Sequence, residues 1–356
     1  MKLAIIGASG FIGLRAVEWF SLGKRADVRA VVRSFASLAV LARQELDWKI
    51  ADPLDVPQLT SAIAGCDAVL HAAIGDARQI PRMASVVADA CVAAKVPRLV
   101  WLSSASVHGQ APASGTSEDT PLRDDSDFEY NDAKVRAERI LESRRDLEIV
   151  RLRPGVVFGP RSRWIANAAE QLRARTAWWM DAGAGICNSI YVDNLLEAIR
   201  LALTTPSARG EAFLVSDAET VHWRDFLLPI ANSLGLDETA FCEIGADEIP
   251  PHRRPSQWEN FALSEPAKWL AERVPWRAKR LVKGLRAGWP IPIPPASAWT
   301  LPALPRPQPD AEQGALFQCR WKFPNDKAAR VLGYAPPVSF AEGVQRSLAW
   351  LKFARS

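Results

Sequence analysis

A chain of 356 residues, 48% hydrophobic and 24% charged, has room for one large domain or two unequal ones and reads as an ordinary soluble globular protein. Its formal charge of +4 is too mild and diffuse to imply nucleic-acid binding, and its longest apolar runs are strand-length, so no membrane-spanning helix is expected. Five cysteines, at 66, 91, 187, 242 and 319, lack CxxC spacing, which points to a reducing compartment and no structural metal.

The N-terminal "MKLAIIGASG" runs from a short apolar stretch straight into a glycine loop. It has no small-residue cleavage site and reads as a first strand rather than a signal peptide. "FIGLRAVEWFSL" has helical spacing, "DVRAVVR" is a strand, and 36–43 is helical. "WKIAD" and "DAVLHAA" are further strands, and "PRMASVVADACVAAK" is a helix. "RLVWLSSAS" is a strand, "EYNDAKVRAERILESR" a helix and "LEIVRLRP" a strand. Strand–helix alternation with near-continuous apolar strands predicts a parallel sheet covered on both faces. The fold class is therefore α/β, a Rossmann-type doubly wound parallel sheet over 1–160 with further core elements near 187–215.

Beyond Gly159 the pattern loosens, and 161–356 reads as a smaller substrate-binding region. Residues 250–310 are rich in proline and carry five tryptophans, at 258, 269, 276, 289 and 299. Within them, 266–289 has seven basic residues against one acid. Such a segment suits an anionic membrane surface or a partner, a substrate phosphate, or simply a solvated helix pair. The proline run that follows predicts an extended strap. "NDKAARVLGY" and "SFAEGVQRSLAWLKFA" read as closing helices, the second with a capping box of Ser339 and Glu342.

Glycines at 7, 10 and 13 lie directly after a strand and before a helix. A pyrophosphate there needs a tight turn, close backbone approach and unpaired helix N–H groups. The bland alternative is a mere helix-entry turn. After the second strand, Arg33 and Ser34 replace the carboxylate that would bind a ribose and repel a 2′-phosphate. NADP is favoured over NAD on that basis, with a solvated Arg33 as the alternative.

"SDFEYNDAK" predicts a helix start through a Ser126–Glu129 capping box, with Asp124, Asp125 and Asp127 favouring its positive end. Tyr130 and Lys134 are then one turn apart on one face. A nearby ammonium stabilises a phenolate, so the pair is a candidate acid/base unit. Alone, YxxxK also occurs by chance in surface helices.

The GxxGxxG loop, "SSASVHG" and YxxxK, in this order, resemble the extended short-chain dehydrogenase/reductase superfamily, in its NAD-dependent epimerase/dehydratase branch. The resemblance covers about 1–235 and 322–352. It implies catalytic roles for Ser104, which bonds the reacting oxygen, Tyr130, the acid/base, and Lys134, which holds the nicotinamide ribose. It implies cofactor contacts from Gly7, Ser9, Gly10, Phe11, Ile12 and Gly13 of the loop, and from Arg33, Ser34, Asp52 and Pro53 near the adenosine. Further contacts follow from His71, Ala72 and Ala73 after the fourth strand, Ser103, and Pro154, Val156 and Val157 after the sixth. Ser104, His108 and Arg161 are the substrate-binding candidates.

Three departures matter. Ala105 and Ser106 replace the acids that 4,6-dehydratases carry after the catalytic hydroxyl, which argues against dehydration. His108 replaces a tyrosine and either touches substrate or packs on its loop. "IPRMASVV" lacks the Asn-x-x-Gly-Thr pattern often seen in this family. The expected activity is an NAD(P)-dependent oxidoreductase acting at a carbinol or ketone carbon of a nucleotide- or lipid-linked sugar. The alternatives are an NAD-dependent sugar epimerase and a non-catalytic NAD(P)-binding sensor or scaffold. The expected location is cytoplasmic, or peripheral at the inner membrane face through 266–289, with a homodimer as a further candidate association.

Overall fold

The computed structural model describes residues 1–251 and 306–354. The basic tryptophan segment 266–289 and most of the proline strap lie outside these residues. β1 (Lys2–Ile6), β2 (Asp27–Val32), β3 (Asp47–Ile50), β4 (Ala68–His71), β5 (Arg98–Leu102), β6 (Glu148–Pro154) and β11 (Ala212–Val215) form one sheet, ordered β11-β6-β5-β4-β1-β2-β3. Every pairing in it is parallel.

Both faces of the sheet are buried. Leu3 and Ile5 of β1 point to one side, with Leu14, Val17 and Phe20 of α1 (Phe11–Leu22) and Leu195, Leu196 and Ile199 of α6 (Val192–Thr204). Ala4 and Ile6 point to the other, against α2 (Val56–Ile63), α3 (Ile80–Ala93) and α4 (Glu129–Glu142). The two-residue period of a strand divides a continuous apolar run between two helical layers. The edge strand β3 is the exception, with Trp48 and Ile50 nearly half exposed. The stretch expected to be helical near 36–43 is a 3-10 helix, Phe35–Leu41.

β1 pairs β2 on one side and β4 on the other. The chain reverses its direction of travel across the sheet there, so a crevice opens at the carboxyl ends of these strands. The glycine loop, Arg33, Ala72 and Ser103 each follow a strand at that end.

A third core lies beyond β6. It joins β7 (Val156–Phe158), α5 (Arg163–Ala174), β8 (Trp178–Trp179), β9 (Ile186–Cys187), β10 (Ser189–Tyr191), β12 (Val221–His222) and α7 (Trp223–Ser233). β13 (Cys242–Glu243) pairs β8. After the undescribed stretch come α8 (Ala311–Phe317), α9 (Asp326–Leu332) and α10 (Phe340–Phe353). Ser339 caps α10 by accepting from the Glu342 amide at 3.3 Å, but the Glu342 carboxylate turns to Arg346 instead of closing the box. Asp217, fully buried, ties the parts together by accepting from Ser189, the Tyr191 amide and Asn194.

Candidate active site

The glycine loop is shaped by contact. Gly7 has φ +86°, and a Cβ there would stand 2.7 Å from the Ala73 backbone. A Cβ on Gly13 would stand 2.1 Å from the Gly7 carbonyl oxygen. Helix and loop therefore pack backbone to backbone, which only glycine permits. Gly10 is the N-cap of α1 and supplies no side chain, and the first turn holds no acid. The amides that open α1 are left for an anion. Ser9 flanks this loop half-buried, while Phe11 and Ile12 turn into the hydrophobic cores.

On the adenosine side, Arg33 is exposed directly after β2. Ser34 caps the 3-10 helix, and its hydroxyl lies 3.0 Å from that of Ser37. Asp52 is exposed beside Pro53, and its carboxylate accepts from the Leu54 amide at 2.9 Å. Ala72 and Ala73 line the close approach to Gly7, half-buried. His71 departs from its expected place on the cofactor. Its ring is 1% exposed, stacks on Trp101 at 4.0 Å and meets the Met83 sulfur at 3.1 Å. The alternation of β4 turns that side chain toward α3. Burial first, then the nearby Lys134 charge, lower its pKa to about 3, so it is a neutral core residue.

Tyr130, Ser104 and Lys134 come together where β5 ends and α4 begins. Ser104 caps a short 3-10 helix (Ala105–His108) and accepts from the Ser106 amide and hydroxyl at 3.2 and 2.9 Å. Its hydroxyl also interacts with the Tyr130 phenol. Lys134 is 2% exposed, and its ammonium donates to the Leu102 carbonyl at 2.8 Å. One expectation, a phenolate stabilised by Lys134, fails here. Burial pushes the Tyr130 phenol up to about 12, against a smaller lowering by Ser104, so the phenol is protonated at neutral pH. Burial lowers Lys134 to about 8, opposed by Glu138. The helix also starts differently, with Phe128 at its N-cap. Ser126 donates to Asp132 at 2.7 Å, Asp124 pairs with Arg139, and Asp125 pairs with Arg123.

Beneath the triad lies a charged cluster that the sequence reading missed. Glu138 is fully buried and accepts from Arg153 at 2.7 Å and from Ser103 at 2.5 Å. The Ser103 hydroxyl is thus committed to Glu138 rather than to a cofactor. Arg153 also bonds His108 Nε2 at 3.2 Å. Since a guanidinium only donates, that nitrogen accepts and Nδ1 carries the proton. Burial, with Arg153, lowers His108 to about 4, so it is neutral. The signal was available: Tyr130, Lys134 and Glu138 repeat every four residues and share a helix face.

At the sixth-strand end, Pro154 and Val156 are buried and Val157 is half-buried, packed between two cores. Arg161 is exposed with φ +72°. Gln110, on the loop leaving Ser104, donates to Glu312 of α8 at 2.7 Å, a second arrangement missed because 202 residues separate the two. Among the described residues, no group of three or more His, Cys, Asp or Glu could hold a metal ion. None of their helices is long and apolar enough to cross a membrane.

A parallel sheet with a side-chain-free helix N-terminus at its switch point is the arrangement that dinucleotide-binding proteins use. Residues 7–169 match a family model described as NAD(P)H-binding. The chain is 24% identical over 325 residues to a 3beta-hydroxysteroid-dehydrogenase/decarboxylase of Arabidopsis thaliana, covering 84% of this chain and 65% of that relative. It is 28% identical over 255 residues to a 2-alkyl-3-oxoalkanoate reductase of Stenotrophomonas maltophilia, covering 66% and 76%. A dTDP-glucose 4,6-dehydratase structure from Streptomyces venezuelae superposes with a TM-score of 0.71 at 19% identity, over 100% of this chain and 98% of that one. Over residues 7–169 the chain is thus similar to NAD(P)H-binding proteins, and with the solved structure it shares the fold. It spans just under two thirds of the length of the plant relative.

Proposed function

We propose that this chain is an NAD(P)-dependent oxidoreductase acting at a carbinol or ketone carbon, and that ketone reduction is its favoured direction. The observation that carries this is the meeting of Ser104, Tyr130 and Lys134 at the same carboxyl end of the sheet as the loop of Gly7, Gly10 and Gly13. The close backbone contacts of Gly7 and Gly13, which a Cβ would break, set the tight turn that presents the opening amides of α1 to a pyrophosphate. When bound there, the nicotinamide cofactor supplies or accepts a hydride. The Ser104 hydroxyl orients the substrate oxygen. Tyr130, protonated at neutral pH, gives its proton to that oxygen as charge develops on it. Lys134 keeps a positive charge beneath the site and is the group placed to hold the ribose. Exposed Arg33 after β2 suits a 2′-phosphate, which supports NADP over NAD.

The substrate class proposed first is a nucleotide- or lipid-linked sugar, in keeping with the structural neighbour. A steroid-type or oxoalkanoate-type ketone is the second reading. It is favoured by uncharged Ala105 and Ser106, and by the printed activities of the two sequence relatives. The test is a spectrophotometric assay at the nicotinamide band with NADPH and NADH against sugar nucleotides, steroids and simple ketones. Oxidation of NADPH with a ketone, preferred over NADH and losing that preference in Arg33→Ala, is expected. Tight binding of both cofactors with no turnover of any carbonyl would instead favour a sensor.

A further inference from the structure

Arginines from three parts of the chain meet at the end of the sheet opposite the catalytic residues. Arg144 and Arg145 follow α4, Arg151 stands in β6, and Arg209 lies in the turn before β11. With Glu142 and Gly210 they line a cavity of about 260 Å³. Ser104 and the glycine loop follow the carboxyl ends of their strands, whereas this cavity lies where β6 and β11 begin. It is therefore separate from the dinucleotide crevice.

Arg151 is 5% exposed, yet its side chain makes one hydrogen bond, from Nη2 to the Gly210 carbonyl at 2.8 Å. Its nearest acids, Glu142 and Glu138, stand 3.6 and 3.9 Å from Nη1, beyond hydrogen-bond length. Glu138 is already taken by Arg153 and Ser103. A buried guanidinium ordinarily spends its donors on a carboxylate or a phosphate. Arg145 is exposed and pairs with no acid among the described residues. Arg209 stands 3.9 Å from Glu148, whose other oxygen holds Arg98. Arg144 alone is committed, to Asp146 and Asp89. The negative end of α4 accounts for cations at 144 and 145. It does not account for Arg151 and Arg209, which come from the sheet and its turn.

We propose that this cavity is a second anion site, which takes a small soluble anion of the phosphate or diphosphate class on Arg145, Arg151 and Arg209. The inference goes beyond the oxidoreductase reading and does not need it. Guanidinium forks match the several oxygens and multiple charges of a phosphate better than a single carboxylate. The volume is below the roughly 300–1,000 Å³ of pockets that hold drug-sized molecules, which selects a small anion over a whole nucleotide. Glu142, its side chain 64% exposed, now stands beside Arg151, and an entering anion replaces it there while its carboxylate stays in water.

The full chain, saturated with NADPH so that the N-terminus of α1 is filled, is titrated with sodium pyrophosphate in a calorimeter at constant ionic strength. One site per chain is expected. Arg145→Ala with Arg209→Ala, both exposed positions, should weaken it about tenfold or more. Glu142→Gln, which removes the competing charge, should tighten it. Arg43→Ala with Lys352→Ala removes two exposed cations of other elements and should leave it within about twofold. Absence of binding, or equal weakening by the two pairs, overturns the proposal. So does binding to phosphatidylglycerol vesicles that depends on Arg145 and Arg209 with none to pyrophosphate, since the surface would then be a lipid contact. If NADPH itself fails to bind, the oxidoreductase reading falls, while the dependence of pyrophosphate on Arg145 and Arg209 still decides this site.

Discussion

The Lys134 ammonium lies 5.7 Å from the centre of the Tyr130 ring and donates to the Leu102 carbonyl at 2.8 Å. It supports the strand end and the face of the phenol rather than the phenol oxygen. Tyr130 accordingly keeps its proton, with Ser104 as its direct neighbour. Removing the phenol oxygen should leave the glycine loop intact. Tyr130→Phe should therefore bind NADPH as the wild type does, by fluorescence titration, and lose about 10²–10⁴-fold in turnover. Equal turnover would remove Tyr130 from the chemistry.

Lys134 is depressed to about 8 by burial, with Glu138 pulling upward. Below that pH it carries the charge that would hold a ribose; above it the charge is lost. Cofactor affinity and kcat/KM should both fall as pH rises through about 8. Lys134→Met should show low affinity with no such fall, measured from pH 6 to 9.

His71 has a folded pKa of about 3, against roughly 6.5 in an unfolded chain. A basic group depressed by folding binds its proton better when unfolded. Its neutral form is fully compatible with the fold above 6.5, and stability is lost as pH falls from there toward 3. The loss should reach about 2 kcal/mol between pH 7 and 5, read by urea denaturation. His71→Phe, which keeps a ring against Trp101, should flatten that slope.

Glu138 and Arg153 are both essentially buried and bonded at 2.7 Å. Removing one partner strands the other charge. Glu138→Ala should cost about 3–5 kcal/mol in denaturant titration. Replacing both, as Glu138→Gln with Arg153→Met, should recover much of that loss. A single variant as stable as the double would show that the charge finds solvent.

The added methyl group of Gly13→Ala would meet the Gly7 carbonyl oxygen, which is backbone and cannot swing away. The expected result is a loss of cofactor binding with about 1–3 kcal/mol of destabilisation. Gly333→Ala serves as a control. Its Cβ would meet nothing within 4 Å, though φ there is +71°, so it should lower stability without touching the cofactor.

The alternation of apolar runs determined a parallel sheet, because a strand buried on both faces has no room for a polar stripe. Glycines 7, 10 and 13 and the Tyr130–Lys134 spacing were equally legible, since local backbone geometry and one helical turn fix them. Charge placement was not. His71 looked like part of a cofactor wall, but the register of β4 turns it into the core. Ser126 and Glu129 had the spacing of a cap, yet the Ser126 oxygen accepts from the Phe128 amide and its hydroxyl donates to Asp132. Glu138 with Arg153, and Gln110 with Glu312, lie 15 and 202 residues apart. Spacing rules reach one or two turns of helix. Whether a distant carboxylate is buried beneath Tyr130 or bonded to a loop from another element is decided only when strands and helices close around it, since burial and proximity are properties of the packed chain.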